Sequence, residues 1–158
     1  MPPPRVDLPS LFMVLSLTAN LVVPFFDRTM VLLVPREMGL ILFLCGVLLF
    51  VYVLTYLRRG FLGQTEPELD HLVTEGPYRF CRHPQYLSFI IMVFGIDLMF
   101  RSIVGVAFTL MLSIPSVVYR GRVEDRLLRD RFHEEWENYA RNTGFFFQRI
   151  QKTEDQRS

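Results

Sequence analysis

Two cysteines and three histidines are all the soft ligand and redox chemistry that the 158 residues carry. Cys45 falls inside a long apolar run and Cys81 in a polar stretch, so the sequence offers no disulfide framework. Cys45 reads as packing. His71, His83 and His133 show no i,i+4 pairing and no cysteine at ligand spacing, which argues against a metal site. No Gly-x-Gly-x-x-Gly and no alternating strand pattern exist from which to build a nucleotide-binding sheet. Any nucleotide cofactor must therefore sit in a helical framework. The formal net charge is only +1, and no nucleic-acid partner is expected.

Apolar residues are abundant instead: 51% of the chain is hydrophobic and 14% aromatic. They are clumped into runs at about 8–26, 38–57, 86–100 and 102–119. A helix needs roughly 20 residues to cross a hydrocarbon layer of about 30 Å. The expected fold is all-α: one membrane domain over 1–158, a polytopic bundle of about four transmembrane helices. The spans fall at about 8–26, 38–57, 84–100 and 102–119, the last two forming a hairpin divided at Arg101-Ser102. No small-residue cleavage site follows the first run, so that run is expected to be retained.

The small net charge conceals an asymmetry. With four spans, the leader, the loop of residues 58–85 and the C-terminal tail share one side and hold fourteen of the seventeen cations. The other side holds Arg28, Arg36 and Arg101. Positive charge collects on the cytoplasmic side of membrane proteins. Both termini and the long loop are expected there.

Several local expectations follow. Ser16, Thr18 and Asn20 in the first span should hydrogen-bond to neighbouring helices, and Gly39 with Gly46 should form a close-approach face in the second. Residues 60–82 are broken by Gly60, Gly63, Pro67, Gly76 and Pro77 into a turn-rich loop. Pro84 suits the first turn of a helix, where its missing N–H costs nothing. Asp97 should pair with Arg101 four residues on. After Tyr119 the composition switches, and residues 122–140 read as an amphipathic helix on the bilayer surface. Asp125/Arg129 and Arg126/Asp130 are candidate ladder pairs on it, with Asp130, Arg131, Glu134 and Glu135 on a solvated face.

The chemistry gathers in two segments, 64–86 and 120–140. The first contains Leu72-Val73-Thr74-Glu75-Gly76-Pro77-Tyr78-Arg79 and then Arg82-His83-Pro84-Gln85-Tyr86; the second opens with Arg120 and Glu124. A helix N-terminus beside Arg82 and His83 favours a carboxylate or phosphate. Tyr78 and Tyr86 offer ring faces to a flat heterocycle or a cation. Glu124 can accept from an amine or a ribose hydroxyl, and Arg120 can grip a carboxylate in a two-pronged way. S-adenosyl-L-methionine carries a matching set of groups.

Leu72 to Tyr86, read with Arg120, Glu124, Asp125, Phe132 and Tyr139, resembles the isoprenylcysteine carboxyl methyltransferase family of integral membrane enzymes. The likeness covers roughly residues 60–141. Its Arg-His-Pro-x-Tyr block is shared more loosely with phospholipid methyltransferases and membrane sterol reductases. The resemblance implies a pocket for S-adenosyl-L-methionine from Gln64, Asp70, His71, Leu72, Val73, Tyr78, His83, Pro84, Gln85, Tyr86 and Glu124. It implies a substrate-side role for Arg120, with Arg120 and Glu124 carrying catalysis, and an active site on the cytoplasmic side. Asp125 stands where the family has Glu, His133 where it has Gly, and Trp136 where it has Tyr, departures that bear on the substrate.

The expected acceptor is a lipophilic small molecule or lipid, foremost the carboxylate of an isoprenylcysteine-like compound, which needs no general base at neutral pH. Phospholipid N-methylation and thiol methylation on the same scaffold are alternatives. An NADPH-dependent sterol-type reductase ranks next, although its motif resembles Arg-His-x-Asn-Tyr, and a non-catalytic membrane scaffold last, because it leaves Tyr78, His83 and Tyr86 without a role.

Overall fold

A computed structural model describes residues 8–27, 33–61 and 72–146. The described residues are helical throughout apart from turns and a single parallel bridge between Cys81 and Gly144. Helix α1 runs Leu8–Phe26, α2 Arg36–Phe61, α3 Pro84–Met99, α4 Ile103–Phe108 and α5 Ile114–Asn142. A 3₁₀ turn, Gly76–Arg79, precedes α3, and a π-helical turn, Thr109–Ser113, joins α4 to α5.

Two of these helical stretches, Arg36–Tyr56 and the continuous Ile103–Asn142, are long and apolar enough to cross a bilayer; Leu11–Phe26 and Pro84–Met99 are shorter apolar helices. On α2 the residues Met38, Ile41, Leu44, Leu48 and Val51 are exposed at helical spacing. An outward apolar stripe of this kind suits lipid rather than water.

The tightest packing is between α2 and α3. A methyl group added at Gly39 would lie 2.3 Å from the Met99 amide nitrogen, and one at Gly95 would lie 2.5 Å from that of Phe43. Gly46 faces Met92 in the same interface. The two glycines picked out in the sequence on α2 do form its close face, and Gly95 supplies the complementary gap.

Polar side chains tie α1 to the later helices. Ser16 Oγ lies 2.7 Å from Ser116 Oγ, and Asn20 Nδ2 donates to Thr109 Oγ1. Thr18 departs from expectation: it donates to the Val14 carbonyl of its own helix. Asp97 is a second departure. Its fully buried carboxylate accepts from Thr109 Oγ1 at 2.6 Å, across the hairpin, instead of turning to Arg101. The hairpin itself is as tight as expected, with Arg101 at φ 57 and Ser102 Oγ capping α4 through the Gly105 amide at 2.8 Å.

The change of composition at Tyr119 produces no break, since α5 continues through it. The π turn lies earlier, just ahead of Pro115. Proline cannot donate within a helix and its ring collides with the carbonyl four residues back, a conflict that an extra residue per turn relieves. The break in α5 comes at His133, with φ 44 and ψ −114. Beyond it the chain turns back toward the start of α3.

Candidate functional site

Gly76 begins the site. It has φ +59, and a Cβ there would lie 2.4 Å from the Tyr56 ring, so only glycine fits this turn. The turn sends residues 81–83 alongside the chain that follows α5. The Arg82 amide donates to the Gly144 carbonyl at 3.0 Å and the His83 amide to that of Phe145 at 3.3 Å. Tyr139 Oη donates to the Tyr78 carbonyl at 2.7 Å. The Phe145 ring packs over Gly121 and lies 4.6 Å from the His83 ring. These contacts take up the Arg82 and His83 amides that the sequence offers to an anion, leaving the start of α3 with those of Gln85 and Tyr86.

His83 occupies the cap position of α3 without capping it. Its ring is buried, and Nε2 lies 2.9 Å from Asp125 Oδ1. The other Asp125 oxygen is 3.3 Å from Arg82 Nη1. The expected Asp125/Arg129 ladder pair is therefore replaced: Asp125 turns inward, and the Arg129 guanidinium stacks 4.8 Å from the Trp136 ring centroid. Tyr86 Oη donates to Glu124 Oε2 at 2.6 Å, and the Tyr86 ring stacks at 5.4 Å on that of His83. Two pairs of residues some forty positions apart thus bind the first turn of α3 to the middle of α5.

Beside these pairs lies a mostly apolar hollow of about 80 Å³. Leu72, Val73 and Tyr78 line it from the loop; Glu124, Leu128, Phe132, Trp136 and Tyr139 line it from α5, with Arg82 and Asp125 between. Burial pushes the Tyr78 phenol above its ordinary pKa, and the nearby Glu124 charge adds to the effect. Burial also pushes the Cys81 thiol up to about 11, which keeps it protonated at neutral pH.

Of the residues expected from the sequence, Leu72, Val73, Tyr78 and Glu124 share the wall of this hollow. His83 and Tyr86 stand behind it, holding Asp125 and Glu124. Pro84 is buried in the first turn, and the Gln85 carbonyl accepts from Ser88 Oγ at 2.6 Å. Gln64, Asp70 and His71 lie outside the described residues. Arg120 is one helical turn before Glu124 and is not on the wall; its Nη1 is buried without a hydrogen-bond partner. Arg82, read from the sequence as an anion donor at the helix start, is on the wall too, whereas sequence reasoning did not assign Asp125, Leu128, Phe132, Trp136 and Tyr139 to the pocket. Leu128, Phe132, Trp136 and Tyr139 were visible as part of the apolar face of a surface helix, and Asp125 as half of a ladder pair.

An aromatic slot with carboxylates at its edge, set in a helical framework, defines a site suited to a flat cationic or heterocyclic ring. Residues 34–135, more than half of the chain, match the phospholipid methyltransferase family, and the chain belongs to that family. It is 40% identical over 84 residues to the cobalt-zinc-cadmium resistance protein CzcN of Cupriavidus metallidurans, covering 50% of this chain and 36% of that one. It is 42% identical over 84 residues to the nickel-cobalt-cadmium resistance protein NccN of Alcaligenes xylosoxydans xylosoxydans, covering 50% and 37%. The chain thus spans little more than a third of the length of these curated relatives. No solved structure matches it. Among the described residues, no three His, Cys, Asp or Glu side chains are grouped to hold a metal ion.

Proposed function

We propose that this chain is a membrane-embedded methyltransferase that uses S-adenosyl-L-methionine and methylates a lipophilic acceptor at the cytoplasmic border. The observation that carries the reading is the convergence, in a member of this family, of loop and α5 on one hollow through Tyr86–Glu124 and His83–Asp125.

The residues fit part of the cofactor well. Tyr78, Phe132, Trp136 and Tyr139 give a heterocycle apolar and aromatic faces, and Glu124 and Asp125 are acceptors for hydroxyls or an amine. A cavity of 80 Å³ admits a ring rather than a whole nucleoside. Asp70 and His71, directly before Leu72, and Gln64 are proposed to complete the pocket. Bound cofactor supplies a methyl group already activated on a sulfonium. The protein's part is then to align the acceptor and exclude water.

Arg120 supports the acceptor side. A buried guanidinium nitrogen without a partner is costly, and an anionic acceptor, such as an isoprenylcysteine-like carboxylate, would satisfy it. The family equally favours a phospholipid amine as acceptor, for which Glu124 would take the proton. Four spans with both termini and the site in the cytoplasm agree with the fourteen-to-three distribution of cations.

The test pairs calorimetric titration of the purified chain with S-adenosylhomocysteine and labelled methyl transfer to a prenylcysteine, phosphatidylethanolamine and a small thiol. Saturable binding with transfer to one acceptor supports the proposal and selects the atom methylated. Affinity for NADPH without affinity for S-adenosylhomocysteine sinks it.

A further inference from the structure

A second hollow, about 290 Å³, adjoins the first, and the two share Arg82 and Trp136. Its other walls are Arg129, Glu137, Ala140 and Arg141. Three guanidinium groups thus meet one carboxylate. Asp125 pairs with Arg82, but among the described residues neither Arg129 nor Arg141 forms an ion pair. Arg82 and Arg129 both lie over the Trp136 indole, at 5.5 and 4.8 Å from a ring centroid. The indole attracts each cation, yet gathering like charges on one ring costs Coulomb energy that a counter-ion would relieve.

Two donors buried behind these walls also lack partners. Trp136 is only 4% exposed, and its Nε1–H has no partner; Arg82 Nε is likewise buried and unpaired. Buried donors of this kind ordinarily have an acceptor. What the walls offer a ligand is therefore the exposed guanidinium groups of Arg129 and Arg141, neither held in an ion pair, facing the single carboxylate of Glu137.

We propose that this second hollow binds a phosphate group, gripped by Arg129 and Arg141 beside the Trp136 ring. A carboxylate, with two oxygens and one charge, would satisfy a single guanidinium fork. Phosphate presents more acceptor oxygens and suits several forks at once. A phospholipid headgroup and a soluble phosphate both present this group; Arg82 lies at the start of an apolar helix, where headgroup phosphates lie if α3 enters the bilayer. The inference does not rest on methyl transfer, and the acceptor site proposed at Arg120 is separate from it.

The full chain in detergent is titrated with water-soluble short-chain phosphatidylglycerol and, separately, with inorganic phosphate. The expected result is saturable one-site lipid binding that inorganic phosphate displaces. Arg129→Gln with Arg141→Gln should weaken it about tenfold or more, as for loss of a hydrogen bond to a charged group. Arg122→Gln with Arg126→Gln, on the exposed surface of the same helix, should leave it unchanged. Binding of inorganic phosphate with the same arginine dependence, and no gain from the lipid form, supports the site and assigns a soluble source. Saturable binding of neither probe by a chain whose circular dichroism shows it folded overturns the proposal, as does equal weakening by both arginine pairs. Should the double variant not fold, Arg141→Gln alone is read against the same two outcomes.

Discussion

His83 Nε2 lies 2.9 Å from Asp125 Oδ1, across forty-two residues of sequence, and the same carboxylate holds Arg82 at 3.3 Å. Together with the Tyr86–Glu124 bond, this side chain ties α5 to the first turn of α3. Asp125→Asn keeps the shape and one acceptor but removes the charge that Arg82 faces in a partly buried setting. We expect a loss of about 1–3 kcal/mol in stability, the usual cost of weakening such a bond, seen as a lower midpoint in thermal unfolding. An unchanged midpoint would mean that the pair positions nothing.

Glu124 and Arg120 separate the two halves of the proposed reaction. Glu124→Gln should weaken S-adenosylhomocysteine binding by about 1.5–3 kcal/mol. Arg120→Lys keeps the charge and loses the planar fork, so it should leave cofactor affinity nearly intact and slow transfer by misplacing the acceptor. Glu134→Gln, on the exposed face of the same helix, is the control. Calorimetry beside single-turnover transfer distinguishes the three, and equal small effects would reduce this part of α5 to an interfacial anchor.

The helical character was legible because apolar runs are long, and the α2 close face because Gly39 and Gly46 are seven residues apart. The loop-side residues Tyr78, His83 and Tyr86 were legible because aromatics and donors beside a helix start have few other uses. Asp125 was not. Its spacing to Arg129 gives the same local pattern as a solvated ladder pair, and only the approach of α3 selects Arg82 and His83 instead. The return of Gly144 and Phe145 onto residues 82 and 83 had no sequence signal at all, because two backbone hydrogen bonds carry no side-chain signature.

Cys81 gives a pH test. Burial raises its pKa from 9.0 to about 11, so the folded state holds the thiol proton more tightly than the unfolded chain does. The sign follows: stability is unaffected by this group below about pH 9 and declines from there toward 11, because only the unfolded thiol ionises in that window. With the exposed Cys45 replaced by Ser, alkylation of Cys81 in the folded protein should be slow at pH 8 and rise only near pH 11, while in the denatured chain it reacts readily near pH 9. Rapid labelling of Cys81 in that folded variant at pH 8 would show an open thiol.

Gly95→Ala tests the α2–α3 contact. The added methyl would lie 2.5 Å from the Phe43 amide nitrogen and 2.8 Å from its Cα, and backbone cannot swing aside as a side chain does. Overpacking of this kind costs about 1–3 kcal/mol. Alanine is otherwise the better helix former, so a neutral or stabilising result in thermal unfolding would show that the two helices do not approach this closely.

His133→Gly tests the break in α5. His133 holds φ 44 and ψ −114, a backbone region that side chains with a Cβ seldom enter and that costs of order 1–3 kcal/mol. Glycine relieves that strain, although it has more freedom to lose on folding, a cost of about 0.5–1 kcal/mol elsewhere in a helix. The strain is the larger quantity, so the variant should be as stable as the parent or more stable by up to about 2 kcal/mol. His133→Ala supplies the comparison: it keeps the Cβ and therefore the strain, and should show no such gain. If alanine stabilises more than glycine, the chain at residue 133 is helical, and the return of Tyr139 and Phe145 onto the loop must be achieved by some other bend.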